Sequence, residues 1–161
     1  MDFKVRQKML RQFTYGMYAV TAHHEGASGA FLANWLSQCS FDPPLIMIAV
    51  ERDARTLDLM RGGKHFIVHV LATGQREFAG MLGRSSRTVP DKLRNVQWHA
   101  SSLSQCPILE ETLGYVECRV VGELPAGDSV IVTGEVIEAV VLHEDGLEAL
   151  TMKETGFKHA G

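Results

Sequence analysis

The sequence predicts a mainly β protein, a closed antiparallel barrel carrying short helical insertions. Three observations lead there. Runs rich in Val, Ile, Phe and Tyr recur at hairpin spacing, and Gly, Pro, Asp and Ser separate them. The helical segments are short. They also fail to alternate regularly with the strands, which disfavours a parallel doubly wound sheet. A chain of 161 residues fits one domain over 1–161, long enough to bury about two-thirds of its extended surface.

Residues 3–13 set Phe3, Met9, Leu10 and Phe13 among Lys and Arg at approximately helical spacing, which predicts a short amphipathic helix. Tyr15–Ala22 is apolar and β-rich, His23–Ser28 reads as a turn, and Gly29–Ser40 as the return strand of a hairpin. Pro43-Pro44 cannot sit inside a central ladder because neither residue donates a backbone hydrogen bond, so the pair marks a corner. The strand after it, Leu45–Glu51, is apolar at nearly every position, which predicts burial on both faces. Thr56–Arg61 reads as a helix ended by Gly62-Gly63, and His65–Leu71 as another strand. Residues 75–83 have helical character with Phe78, Met81 and Leu82 on one face, and 84–95 form a polar loop with a helical turn. Strands near Gly114–Glu123 and Ser129–Leu142 are joined by a turn at Pro125–Asp128.

Composition narrows the function classes. The chain is 45% hydrophobic and 22% charged, with a formal net charge of −3, and its charges are interspersed. That pattern argues against nucleic-acid or membrane-surface binding, which shows as basic clustering. Cys39, Cys106 and Cys118 are widely spaced and form no CxxC pair, so reduced thiols and a cytoplasmic location are expected. The first thirteen residues lack the apolar core of a signal peptide, and the longest apolar run, Pro43–Val50, is far short of the roughly 20 residues a membrane span needs.

Two segments carry the chemistry. Ala54-Arg55-Thr56 follows the apolar strand at a helix start, where free amides and the helix dipole favour an anion. Arg55 adds a fixed charge and Thr56 a hydroxyl, the combination a phosphate needs. An ordinary helix capped by Asp53, with Arg55 in solvent, accounts for the same residues. In Ala33-Asn34-Trp35-Leu36-Ser37, small residues and an amide that donates and accepts would suit a planar heteroaromatic ligand on a barrel wall. A rim asparagine beside a core tryptophan is the competing explanation. His65 and His69 stand four apart on a strand without carboxylate partners, so no metal site is expected. GxSxG, GxGxxG and GxxxxGK are all absent.

The order of these pieces is more specific than any one of them. A small-residue strand with Ala33, Asn34 and Ser37 leads to the Ser40-x-Asp42-Pro43-Pro44 corner. An apolar strand, Arg55-Thr56, the run His65–Leu71 and Gln75 follow. This order resembles the flavin reductase-like family of FMN-binding split barrels. Trp35-Leu36-Ser37-Gln38 before the corner looks most like the flavin reductase modules of flavodiiron proteins, and the likeness runs from about Phe13 to Glu138.

The resemblance implies an antiparallel split β-barrel of Greek-key type and a homodimer holding FMN at its interface, with FAD as the alternative flavin. It implies hydride transfer from NAD(P)H, with electrons passed to free flavin or to a redox protein partner. Ala30, Phe31, Leu32, Ala33 and Asn34, with Ser37 and Gln38, would line the ring and ribityl chain. Arg55 and Thr56 would hold the phosphate, aided by Arg84, Ser85 and Lys92 from the polar loop. No side chain is expected to act as acid–base catalyst, because hydride transfer is chemistry of the cofactors. Two departures stand out. His69 occupies a strand position where the family commonly has Asn, and the tail Leu150–Gly161 lacks the family's Gly-Tyr ending, with Phe157 and His159 in its place. A flavin-binding electron-transfer module without NAD(P)H oxidation of its own fits the same residues. So does a barrel that kept the fold and binds another ligand.

Overall fold

The computed structural model describes residues 1–144 and 148–159. Helix α1 (Phe3–Leu10) is capped by Asp2, ends three residues before the predicted limit, and buries none of its side chains. Strands β1 (Tyr18–His24) and β2 (Ala27–Ala33) form the predicted hairpin, with a turn of only two residues. Glu25 and Gly26 both adopt positive φ, the conformation of a tight primed turn, so His23 and His24 belong to the strand instead of the loop.

The expected return strand is two strands. Asn34 and Trp35 break it, and the chain resumes as β3 (Leu36–Phe41). Phe41 pairs across a two-residue turn, with a cis Asp42–Pro43 bond, to Pro44 at the head of β4 (Pro44–Glu51). The ladder between β4 and β9 begins only at Leu45, so the missing amide of Pro44 costs no hydrogen bond there. Burial of β4 on both faces is not observed. Ile46, Ile48 and Val50 are buried, whereas Met47 between them is 41% exposed. The strand presents one face to the core and an apolar face outward.

Helix α2 (Arg55–Gly63) contains the two glycines predicted to end it, and Lys64 takes the left-handed C-cap position instead. The glycines serve close packing. A Cβ at Gly63 would stand 2.0 Å from the carbonyl oxygen of His23, and one at Gly62 would stand 2.2 Å from the His24 ring. Strand β5 (His65–Val70) and helix α3 (Arg76–Leu82) follow. The sequence left 96–113 unassigned. It contains a short ribbon, β6 (Trp98–Ala100) with β7 (Pro107–Leu109). This segment covers Glu117, which is fully buried and accepts from Ser101 Oγ at 2.9 and 2.8 Å. Long strands β8 (Gly114–Ala126) and β9 (Ser129–Val141) take Pro125 and Ala126 into the ladder, leaving Gly127-Asp128 as the turn. A one-turn helix, α4 (Met152–Thr155), precedes the tail.

Apart from the β6–β7 ribbon, the strands form one seven-stranded antiparallel sheet in the order β2-β1-β5-β8-β9-β4-β3. Its edge strands, β2 and β3, are joined by only Asn34 and Trp35, a span of roughly 10 Å. The sheet must therefore curl until its edges meet, yet no ladder joins them, and the barrel is split instead of closed. One core fills the barrel, with Ile48, Val50, Leu57, Met60, Phe66 and Val68 among its members. A second lies under α3 and the tail, built on Met17, Leu71, Ala79, Leu82, Leu109 and Leu150. His69, the departure on β5, is fully buried near this second core. Its Nδ1 donates to the carbonyl of Ala19 at 3.0 Å, and its Nε2 accepts the Leu109 amide at 3.0 Å. Those bonds fix one neutral tautomer, and burial pushes its pKa down to about 4. It pins β5 to β1 and β7, a structural task.

Candidate functional site

A cleft of about 830 Å³ opens at the split. Its walls draw on both cores: Ala33 and Val50 from the barrel interior, Met17, Leu82 and Met152 from beneath α3 and the tail. Of the residues singled out from sequence, Phe31, Leu32, Ala33, Asn34, Arg55, Thr56, Arg84, Ser85, Lys92 and His159 line it together. Ala30 is buried and lines a small side recess that opens between Thr56, Ser86 and Lys92. Ser37 and Gln38 lie outside both linings. They are exposed on β3, where Ser37 Oγ donates to the carbonyl of Gln38 at 2.9 Å and Gln38 Nε2 to that of Ser40 at 3.1 Å. The break at Asn34-Trp35 shifts β3 to the far edge of the sheet and takes them with it.

One end of the cleft is the start of α2. Ala54 occupies the N-cap with no side-chain hydrogen bond to the helix, so Asp53 does not cap it. Thr56 is 3% exposed. Among the buried polar side chains described, its hydroxyl alone has no hydrogen-bond partner. Gly29 keeps that hydroxyl uncovered, since a Cβ there would stand 3.1 Å from Thr56 Oγ1. No fully buried side-chain oxygen or nitrogen among the described residues lacks a partner, so the Thr56 oxygen is the part of the side chain left open to the cleft, where a ligand or water can take its hydrogen bond. Lys92 is buried beside it. Its Nζ donates to the carbonyl of Leu82 at 2.7 Å, and desolvation lowers its pKa. Arg55 is exposed and reaches the carbonyl of Pro90 at 3.5 Å. The loop 84–95 that carries Arg84, Ser85 and Lys92 is folded over this end.

The other end is aromatic. The tail residues Phe157, Lys158 and His159 line the cleft. Asn34 Nδ2 donates to the carbonyl of His159 at 3.2 Å, and the His159 and Trp35 rings lie 5.2 Å apart. The last two tail residues, 160 and 161, fall outside the described residues. Sequence reasoning missed Ser86, Arg87 and Lys158 as lining residues, although Arg84-Ser85-Ser86-Arg87 is a continuous polar run. Nothing in the sequence marked Met17 or Met152, which distant chain segments deliver. In all, Arg55, Arg84, Arg87, Lys92 and Lys158 face the cleft against only Glu51 and Asp53. Arg87 and Asp53 are 3.7 Å apart and both exposed, a pair worth little in solvent.

A cavity of this size, cationic with an uncapped helix at one end and apolar and aromatic at the other, suits a phosphate-bearing planar ligand. The sequence profile of the flavin reductase like domain family matches residues 9–161. The chain belongs to this family. It is 32% identical over 152 residues to diflavin flavoprotein A 1 of Synechocystis sp., an alignment covering 93% of this chain and 26% of that protein. It thus spans about a quarter of the length of that relative. Among solved structures, it is similar to nitrilotriacetate monooxygenase component B from Mycobacterium thermoresistibile, with a TM-score of 0.83 at 26% identity, covering 92% of this chain and 80% of that one. It is also similar to the NADH:FAD oxidoreductase SgcE6 of Streptomyces globisporus in complex with NAD and FAD fragments. That match has a TM-score of 0.81 at 26% identity and covers 92% and 86% of the two chains.

Proposed function

We propose that the chain is an NAD(P)H:flavin oxidoreductase domain that holds FMN in this cleft, its phosphate at the start of α2 and its ring toward Asn34, Trp35 and the tail. The observation that carries this reading is the Thr56 hydroxyl, which faces the cleft without a partner in the chain, set beside an uncapped helix N-terminus with Arg55 and Lys92 at hand. The bound flavin supplies hydride and electron transfer. The chain's own residues bind and orient. Thr56 Oγ1 and the first amides of α2 donate to the phosphate, and Lys92 and Arg55 offset its charge. The small residue Ala33 leaves room for a flat ring against the barrel wall, and the apolar flank from Met17, Phe31 and Leu32 excludes water from it. Arg84 and Ser85 border the same cleft and complete the phosphate side, while FAD is the alternative occupant.

Electrons leave to free flavin or to a protein partner, and two copies of the chain pair. The support for pairing is the exposed apolar surface of the sheet, where Phe41 is 92%, Leu124 61% and Met47 41% exposed, an arrangement a soluble monomer rarely keeps. Among the described residues no helix is long and apolar enough to cross a membrane.

The deciding experiment is the visible spectrum of the purified protein after loading with FMN, before and after anaerobic addition of NADH or NADPH. Flavin absorption that bleaches with either nucleotide is the expected result. Flavin absorption that neither nucleotide changes reduces the protein to a flavin-binding electron-transfer module. A protein that takes up no flavin sinks the proposal.

A further inference from the structure

The tail reaches the cleft along a route fixed by residues that do not line it. Ala149 and Thr151 bridge to Ala72 and Gly16, and α4 follows. On α4, Glu154 accepts from Thr73 Oγ1 at 2.5 Å and from the Gly74 amide at 2.9 Å. Those two bonds hold its carboxyl below the usual carboxylate range. One residue further, the carbonyl of Thr155 accepts from Arg76 Nε at 2.7 Å, and the Arg76 guanidinium lies 5.2 Å over the Phe157 ring. Gly156, at φ 72°, turns the chain into the left-handed region that glycine adopts without a Cβ penalty. Phe157 then lands beside Gly80, where a Cβ would stand 3.3 Å from the ring tip.

What these clasps position is only partly held by packing. Lys158 and His159 are exposed, and Phe157 is half-buried. Beyond Phe157, the wall is tied to the barrel by the single Asn34 bond and the Trp35 ring contact. Phe157 rests half-buried against the second core, but no core burial holds Lys158 or His159. The polar contacts of Arg76 and Glu154 add to that packing in setting where residues 157–159 sit, and they do so from outside the cleft lining.

We propose that Arg76 and Glu154 are positioning residues that set how long flavin stays bound, by holding residues 157–159 as the outer wall of the cleft. The proposal rests on the flavin reading above. A ring seated between that wall and the barrel leaves only when the wall moves, so the release rate follows the strength of the clasps, while phosphate capture at α2 does not. Arginine is specific for the task. One planar group both donates in its plane to a carbonyl and stacks by its face on an aromatic ring, and lysine does not combine the two.

The test uses full-length Arg76→Met, Arg76→Lys and Glu154→Gln chains, and a chain ended after Gly156. The release of FMN is followed by stopped-flow recovery of flavin fluorescence. Arg76→Met is expected to release FMN on the order of tenfold faster, the scale of one hydrogen bond to a charged group. Arg76→Lys should recover only part of the loss, and the shortened chain should be fastest. A second readout needs no flavin. In a Trp98→Phe background, Trp35 emission in Arg76→Met should move toward that of the shortened chain, because His159 has left the Trp35 ring. If wild type binds FMN and Arg76→Met and Glu154→Gln release it at the wild-type rate, the clasp proposal is overturned and the flavin reading stands. A wild-type chain that takes up no FMN overturns both. Should Arg76→Met fail to fold, Glu154→Gln loosens the wall through the other clasp and decides the matter.

Discussion

The two ends of the cleft are built in opposite ways. At the start of α2 the functional groups are carried by the frame itself. Thr56 and Lys92 are buried, and the segment between Val50 and Leu57 is continuous with the barrel core. At the other end only Phe157 packs on a core, Lys158 and His159 are exposed, and one arginine and one carboxylate brace the segment from outside. An end set into a core keeps its geometry whether or not a ligand is present, so it suits tight recognition of an invariant group. An end held by surface hydrogen bonds can open at little cost, so it suits entry and exit. The difference separates affinity from residence time within one site.

The largest expected effect concerns the frame that carries both ends. His69 is kept neutral when folded, with its pKa pushed down from 6.5 to about 4. An unfolded chain takes up that proton near pH 6.5 and the folded one refuses it. The stability His69 contributes is therefore fully present above pH 6.5 and falls as the pH drops toward 4. The expected loss is about 3 kcal/mol, read as melting temperature against pH. His69→Gln should flatten that part of the curve. An unchanged curve in the variant would assign the acid sensitivity to other groups.

Next in size, Arg55→Ala combined with Thr56→Val should weaken FMN binding by about 1.5–3 kcal/mol, measured by fluorescence titration, and should leave the Trp35 emission alone. Comparable loss in both readouts would show that the two ends are not independent. Gly29→Ala is expected to cost about 1 kcal/mol of stability, because the added methyl crowds Leu59 Cδ1 at 2.9 Å and Thr56 Oγ1 at 3.1 Å. FMN affinity should fall with it, and an affinity that rose would mean the uncovered hydroxyl is not used. The smallest effect belongs to Asn34→Ala, which removes one exposed bond to the His159 carbonyl. A two- to threefold faster FMN release is expected on the low end of the hydrogen-bond scale, roughly 0.5 kcal/mol.

The same contrast governs what could be read from the sequence. The α2 end is local: strand, helix start, Arg55 and Thr56 fall within a dozen residues, and their order along the chain displays the site. The tail end joins Asn34 to His159 across 125 positions, and no local pattern announces such a meeting. The hairpin, the β4 strand and the long β8–β9 pair were legible from β-rich runs and turns. The break at Asn34-Trp35 was not, because both residues tolerate extended backbone and only the curled sheet requires the chain to cross its own seam there. That crossing is also why Ser37 and Gln38, continuous with Asn34 in sequence, end up facing away. Gly62-Gly63 read as a helix stop because that is the commonest use of glycine. The approach of His23 and His24, which explains them, exists only after folding. The apolar outer face of β4 read as core because composition cannot distinguish a strand covered by its own chain from one left uncovered.

The uneven distribution of charge has a kinetic consequence. The chain has 16 basic and 19 acidic residues, yet five of the basic and only two of the acidic ones face the cleft. The rest of the chain carries 11 basic and 17 acidic residues, so its charge balance is opposite to that of the cleft, which is the positive region. A diffusing phosphate ester is repelled over most orientations and drawn in over one, which raises the fraction of encounters that succeed. Capture should slow steeply as salt is added, because the field that guides the anion decays within a Debye length, about 8 Å at physiological ionic strength. Escape past the tail, which depends on short contacts, should hardly notice.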